Sequence, residues 1–167
     1  MRCVFRKNSF FELDEIYSLK KSKFFPYKQT RCDDFKYEFF LNLGGNLGNV
    51  QENFEKFFLL LKKDRRFCIT QSSPIFLNKA FGYEKQPDFL NAVMVVKTSK
   101  SPNETLKILN HFERIFKRKR SFKNAPRTLD LDILYYKNLT LNTNKLTLPH
   151  PGVYDRIPVI FGLGCLY

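Results

Sequence analysis

Apolar residues recur at helical spacing in two stretches of the chain. Val50, Phe54, Phe57, Phe58 and Leu61 fall every three or four residues, which on a helix makes one buried stripe. Asn49 precedes them, with Glu52 three residues on, the spacing of a capping box. Leu106, Leu109, Phe112 and Phe116 form the second stripe, and Ser101-Pro102-Asn103-Glu104 ahead of it offers an N-cap, a proline at the first position and a glutamate at the third. Between and around these helices the pattern is that of strands: 39–43 ending in a glycine turn, 68–73 stopped by Pro74, 89–98 rich in β-branched residues, and 127–136. A hairpin follows around 137–148. The β-α-β-β-α-β order predicts a ferredoxin-like α+β sandwich, an antiparallel sheet with helices on one face. The stretch 74–87 holds Gly82 and two prolines without a regular period and reads as a binding loop.

Residues 1–37 differ in composition, with nine Lys and Arg against five Asp and Glu. Phe10, Phe11, Leu13, Ile16, Tyr17 and Leu19 could form a short amphipathic segment there. This segment reads as an N-terminal extension packed on the domain 38–167 or on an oligomer partner, with disorder or a misplaced start as the bland alternatives. The 167 residues, 43% hydrophobic and 27% charged, suit one soluble domain with a real core. A net charge of +13 calls for an acidic partner, whether nucleotide, nucleic acid or membrane surface. Cys3, Cys32, Cys68 and Cys165 lack CxxC or zinc-like spacing. With no signal peptide in view they read as free thiols in a reducing cytoplasm. No stretch is apolar enough to span a bilayer.

The most informative feature is Asp130-Leu131-Asp132 inside the last long strand. Positions i and i+2 of a strand share a face, so both carboxylates point one way while Leu131 and Ile133 point into the core. Adjacent carboxylates repel and raise each other's pKa unless cations neutralise them. Oxygen donors without His or Cys suit Mg²⁺, held by one or two carboxylates plus substrate phosphates. The alternative is an exposed strand face, or a pair matched by nearby Arg and Lys. Just upstream lie Lys117, Arg118, Lys119, Arg120, Lys123 and Arg127 with no acidic residue among them. A basic loop beside a carboxylate pair suggests a polyphosphate gripped from both sides. Asn110 and Glu113, three apart on the second helix, share a face and without further context read as a solvent-facing pair.

Pro126-Arg127-Thr128-Leu129-Asp130-Leu131-Asp132-Ile133-Leu134 resembles the signature of the 6-hydroxymethyl-7,8-dihydropterin pyrophosphokinase family of the folate pathway. The resemblance runs from about Phe39 to Leu163. It takes in Leu43-Gly44-Gly45-Asn46-Leu47-Gly48, where the family has Gly-Ser-Asn, then Gln86-Pro87-Asp88-Phe89-Leu90-Asn91-Ala92-Val93, Glu113 with Arg118 and Arg120, and Leu148-Pro149-His150. It does not extend to residues 1–37. It implies the ferredoxin-like fold and a transfer of pyrophosphate from ATP to the hydroxymethyl-dihydropterin, with AMP leaving. It implies two Mg²⁺ on Asp130 and Asp132, with Arg118 and Arg127 sharing the catalytic role. The implied ATP site comprises Asn110, Glu113, Arg118, Arg120, Arg127, Ile133, Lys145, Thr147, His150 and Arg156. The implied pterin site comprises Asn78, Phe81, Phe89 and Asn91; Phe89 and Asn91 alternate on one strand and offer a ring face and an amide to a flat heterocycle.

Departures from the family include Gly45 for serine, Asn124 for an aromatic with Ala125 for the glycine after it, and Pro158 for the second stacking phenylalanine. Phe81, Phe122 and Tyr154 are candidates to close the pterin sandwich, and Lys117 stands where a glycine is usual. The partners expected are the small-molecule substrates, with neither nucleic acid nor membrane, in a cytoplasmic protein whose oligomeric state, monomer or weak dimer, is left open. The rival from another class is an RNA-binding module, since ferredoxin-like sheets bind RNA through exposed aromatics. Asp130 and Asp132 would repel a phosphate backbone and speak against it. An inactive homologue is the third reading, motivated by Gly45, Asn124 and Pro158.

Overall fold

The computed structural model describes residues 15–32, 34–80, 85–118 and 125–166. Strands β1 (Ile16–Lys20) and β2 (Tyr27–Lys28) precede β3 (Tyr37–Gly45) and helix α1 (Val50–Lys63). Strands β4 (Phe67–Ser72), β5 (Ile75–Asn78) and β6 (Phe89–Thr98) lead to α2 (Pro102–Ile115). The acid-pair strand is β7 (Asp130–Tyr136). After it come a short hairpin, β8 (Leu141–Asn142) with β9 (Thr147–Leu148), a 3₁₀ turn (Pro151–Val153) and α3 (Ile157–Gly164).

Seven strands form one antiparallel sheet in the order β1-β5-β6-β3-β7, with β4 also on β6 and β2 beyond β4. The long β6 serves two partners in turn: its 94–98 half pairs with β4 and its 89–91 half with β5. The break between them is Ser73-Pro74, where Ser73 Oγ accepts the Val93 N–H at 2.9 Å and replaces a ladder bond. The α+β expectation therefore holds, but 74–87 is not all loop, because its first part is β5.

Both helix starts follow the sequence pattern. Asn49 Oδ1 accepts from Glu52 N–H, and the Ser101–Glu104 capping box is complete in both directions. The whole stripe of α1 is buried, and its phenylalanines interlock with Phe112 of α2, with Phe116 at its C-terminal cap and with Phe24, Phe25 and Tyr27. Each buried phenylalanine contributes roughly 1.5–3 kcal/mol relative to exposure.

The helices are not confined to one face, as the pattern predicted. Helices α1 and α2 cover the face of Leu41, Leu43, Ala92, Met94, Leu131 and Ile133. Helix α3 covers the opposite face, over Val93 and Leu134. It sits so close that a Cβ on Gly162 would come 2.5 Å from Val93 Cγ2.

The described part of the N-terminal segment belongs to the sheet: β1 extends the edge beyond β5, and β2 extends it beyond β4. The free-thiol expectation is corrected at one pair. Cys32 and Cys68 form a disulfide across 36 residues, their Cα atoms 6.1 Å apart. The pairing of β2 with β4 brings the two backbones alongside one another. Cys165 is free, and Cys3 lies outside the described residues. Among the described residues no helix is long and apolar enough to cross a membrane.

Candidate active site

The register of β7 on β3 sets the site. Asn42 lies opposite Asp132 and Gly44 opposite Asp130, while Gly44 also faces Asn91 on β6. Because Leu41, Leu43, Leu131 and Ile133 turn into the main core, Asn42, Asp130 and Asp132 rise together from the other face. Beyond them on that face α3 seals the sheet with apolar contacts.

Arg118 reaches the site through the way α2 ends. Lys117 adopts a left-handed φ of 58°. Arg118 N–H then donates to Glu113 O and Lys117 N–H to Arg114 O, both at 3.0 Å, the two bonds of a Schellman end. Glycine is usual at such a position, and a left-handed lysine costs about 1–2 kcal/mol. The turn folds Arg118 back, so its guanidinium meets the Glu113 carboxylate and lies 2.6 Å from Asp130 Oδ1. Glu113 is 4% exposed and also accepts the N–H of Leu131 at 2.9 Å, satisfying a donor of edge strand β7. Far from being a solvent-facing pair with Asn110, it ties helix, strand and arginine together.

Arg127 grips the other oxygen of Asp130, Oδ2, at 2.5 Å, and its guanidinium lies 5.2 Å from the centre of the Phe89 ring. Asn46 holds its backbone. The Asn46 Oδ1 accepts Arg127 N–H at 2.8 Å, and the N–H groups of Asn46 and Leu47 both donate to Arg127 O. Asn46 Nδ2 donates to Gln86 Oε1 at 3.0 Å and to Pro87 O at 2.9 Å. One buried amide thus joins the glycine turn, the segment before Phe89 and the signature arginine. Sequence reasoning assigned no role to Asn46, although it sits inside the quoted glycine motif. Gly45 is explained here too: a Cβ would lie 2.9 Å from Val50 Cγ1 and 3.0 Å from Thr128 O. The departure from serine is therefore a packing adjustment of this chain.

On the Phe89 side, Asn91 Nδ2 donates to Asn78 Oδ1 at 2.5 Å, and all three residues are buried. Pro158 is the second residue of α3, and Tyr154 is 72% exposed. Phe81, Arg120, Phe122 and Asn124 lie outside the described residues.

A cavity of about 720 Å³ opens beside β7, between α2 and the β8–β9 hairpin. Of the sequence-predicted residues, Asn110, Glu113, Arg118, Arg127, Asp132, Ile133, Lys145, Thr147 and His150 line it. Leu106, Leu131 and Leu146 add an apolar wall. The size and mix suit one nucleotide-sized ligand. Arg156 stays outside it, with its stem against Gly152. His150 Nδ1 accepts the Gly152 N–H at 3.0 Å, which leaves the ring proton on Nε2. Burial first, and then the Arg156 charge, lower the His150 pKa, so the ring is neutral. A second cavity of equal volume lies between α1 and α2. It holds no carboxylate pair beside an arginine, and the chemistry points to the first.

Burial, and then the Asp130 charge, push the Asp132 carboxyl up to about 7. Burial and a neighbouring carboxylate both disfavour the charged form of Asp132, which a cation beside it would favour. Asn42 Oδ1 and Arg127 Nε are buried without a hydrogen-bond partner. Among the described residues no three His, Cys, Asp or Glu gather into a cage. A pair of carboxylates with a spare amide oxygen is the partial, oxygen-only donor set that Mg²⁺ completes with substrate oxygens. The residues present fit the cation.

Residues 40–164 match the family model of 7,8-dihydro-6-hydroxymethylpterin-pyrophosphokinase (HPPK). The 2-amino-4-hydroxy-6-hydroxymethyldihydropteridine pyrophosphokinase of Campylobacter jejuni is 39% identical over 155 residues, 93% of this chain and 99% of that protein. Its namesake from Helicobacter pylori is 41% identical over 144 residues, 85% and 88% of the two chains. The mitochondrial folate synthesis bifunctional protein of Arabidopsis thaliana is 35% identical over 121 residues, 72% of this chain and 22% of that longer one. The family model spans the expected extent of the likeness, 40–164, and the Campylobacter alignment reaches further toward the N-terminus. With 93% of the chain covered, most of residues 1–37 is shared as well.

Proposed function

The chain belongs to the 7,8-dihydro-6-hydroxymethylpterin-pyrophosphokinase family, and from that premise we propose that it transfers the pyrophosphoryl group of ATP to 6-hydroxymethyl-7,8-dihydropterin in folate synthesis. The observation that carries this reading is the double grip of Arg118 and Arg127 on Asp130, at the junction of the 720 Å³ cavity and Phe89. That junction is where a polyphosphate must meet a flat acceptor.

ATP would occupy the cavity, its base against Leu106, Ile133 and Leu146 and its polar edge toward Asn110. Lys145, Thr147 and the neutral His150 line the path toward the phosphates. The dihydropterin would lie on Phe89, with Asn91 and Asn78 reading its ring edge. The oxygen of its hydroxymethyl group attacks the β-phosphorus and its proton is released to solvent. The bond from that phosphorus to the α–β bridging oxygen breaks, and AMP departs with the electron pair. Asp130 and Asp132 would hold Mg²⁺, two ions in this reading, and when bound these supply neutralising charge and a template for the phosphates.

The protein's own share is positioning and charge. Such transfers need in-line alignment and cations at the equatorial oxygens more than covalent help. Arg118 and Arg127 are held by backbone geometry, a helix end and an asparagine clamp, so their placement requires little reorganisation as charge develops. The RNA-module alternative loses its platform, because α3 covers part of the face such modules leave open. The test is AMP release from ATP and Mg²⁺ with and without the hydroxymethyl-dihydropterin. The reading predicts acceptor-dependent AMP; ATP turnover indifferent to the acceptor would refute it.

A further inference from the structure

We propose that Asn42 is a third oxygen donor of the divalent-cation site, alongside Asp130 and Asp132. The inference rests on the reading that the carboxylate pair holds the cation. It assigns this chain an additional ligand from β3, the neighbouring strand.

Three observations carry it. First, the register puts Asn42 directly opposite Asp132. Residues so paired on one face have Cβ atoms about 4.5–5.5 Å apart, close enough for both side chains to reach one ion. Second, Asn42 is 8% exposed, and its Oδ1 is buried with no hydrogen-bond partner. An amide oxygen shut away from water beside carboxylates is unfavourable, and a cation removes the conflict by giving all of them a positive neighbour. Gly44, two residues on, contributes no side chain, which lets three polar residues crowd together: the position of its missing Cβ lies 3.0 Å from Asn91 Oδ1, 3.7 Å from Asp130 Cβ and 3.9 Å from Asn42 Nδ2. Third, Asp130 is ion-paired with two arginines, Arg118 beside Oδ1 and Arg127 hydrogen-bonded to Oδ2, although Oδ1 itself has no hydrogen-bond partner. A carboxylate shared with two arginines is a weakened metal donor, and a neutral amide oxygen from the next strand makes up the deficit without adding to the negative charge. Along the same face Phe40 packs among apolar neighbours, so the strand would accommodate an apolar residue at 42 if packing were its only task.

The experiment uses Mn²⁺ as the probe. Binding to the full chain is followed by electron paramagnetic resonance, with and without a non-hydrolysable ATP analogue, and thermal unfolding is followed in chelator. Asn42→Ala should weaken Mn²⁺ binding about tenfold, in the range seen when outer partners of a metal site are removed. In chelator its Tm should not fall, because the deleted oxygen had no partner. Asn42→Asp restores an oxygen and should bind Mn²⁺ more tightly than Asn42→Ala. Wild-type Mn²⁺ affinity in Asn42→Ala, or no recovery in Asn42→Asp, would overturn the assignment. A clear drop of Tm in chelator would also overturn it by showing a packing role. Asp132→Asn separates the two levels: if it loses Mn²⁺ while Asn42→Ala keeps it, only the Asn42 assignment fails. If Asp132→Asn also binds like wild type, the cation reading itself fails.

Discussion

Strand β7 ends in two different environments. At Tyr136 every bond is closed within the protein. The ring is fully buried and stacked on Phe39 at 5.3 Å. Its hydroxyl donates to Lys100 O at 2.5 Å and shares a 2.8 Å hydrogen bond with Thr105. Burial pushes that phenol up to about 12, so it stays a neutral donor. Four residues earlier, Asp132 is pushed up to about 7 by burial and by Asp130. There an amide oxygen and a guanidinium nitrogen are buried without partners. The same strand thus spends its polar groups on stability at one end and holds them in reserve for ligands at the other. Ligand-directed groups are those a fold leaves poorly satisfied.

The largest effect should come from the acid pair. Asp130→Ala or Asp132→Ala should lower turnover by at least about 1000-fold, since each removes a cation ligand at the reacting phosphates. For Asp132 the metal-free fold should not suffer. A carboxyl raised from 3.8 to about 7 in the folded state binds more protons there than when unfolded, so its favourable share is present at acid pH and lost as pH rises from about 4 to about 7. In chelator, Asp132→Asn should therefore be less destabilised than wild type on moving from pH 5 to pH 8 in denaturant titrations. A steeper loss in the mutant would break the comparison.

Arg127→Ala comes next. A lost charge-assisted contact to developing phosphate charge is worth about 2–4 kcal/mol, or about 30- to 1000-fold in kcat. Arg127→Lys should fall between, because it keeps the charge and loses the fork. A rise in KM for ATP at unchanged kcat would make the arginine a docking group only. Asn46→Ala, which releases the Arg127 backbone, should lower kcat roughly tenfold. In an Arg127→Ala background it should have little further effect, and full additivity would show that Asn46 acts elsewhere.

Much of this was legible in the chain. Helices α1 and α2 carried both stripe and cap, and Asp130 and Asp132 announced a shared face by spacing alone. What escaped depended on partners distant in sequence. Ile75–Asn78 has both faces buried and so no alternation to detect, and it becomes a strand only against β6. Helix α3 reads Ile-Pro-Val-Ile-Phe-Gly-Leu-Gly, without the polar face that marks a surface helix. The Cys32–Cys68 bond had no motif to reveal it. Asn42 looked like an ordinary polar residue in a strand until the β3–β7 register set it against Asp132.

The smallest effect belongs to the closed end. Tyr136→Phe leaves Lys100 O and Thr105 Oγ1 without that partner and should cost about 1–3 kcal/mol of stability. Its kcat should match wild type at temperatures where it remains folded. Altered kcat with unchanged stability would show that the two ends of β7 are not divided as described.

The most direct measurement follows the β-phosphorus. With ATP labelled at that atom, Mg²⁺ and the hydroxymethyl-dihydropterin, the label should appear in the pterin product while AMP leaves unlabelled, and Asp132→Asn should abolish the transfer. Label retained in ADP would mean that only the terminal phosphoryl group moves, and would contradict the account.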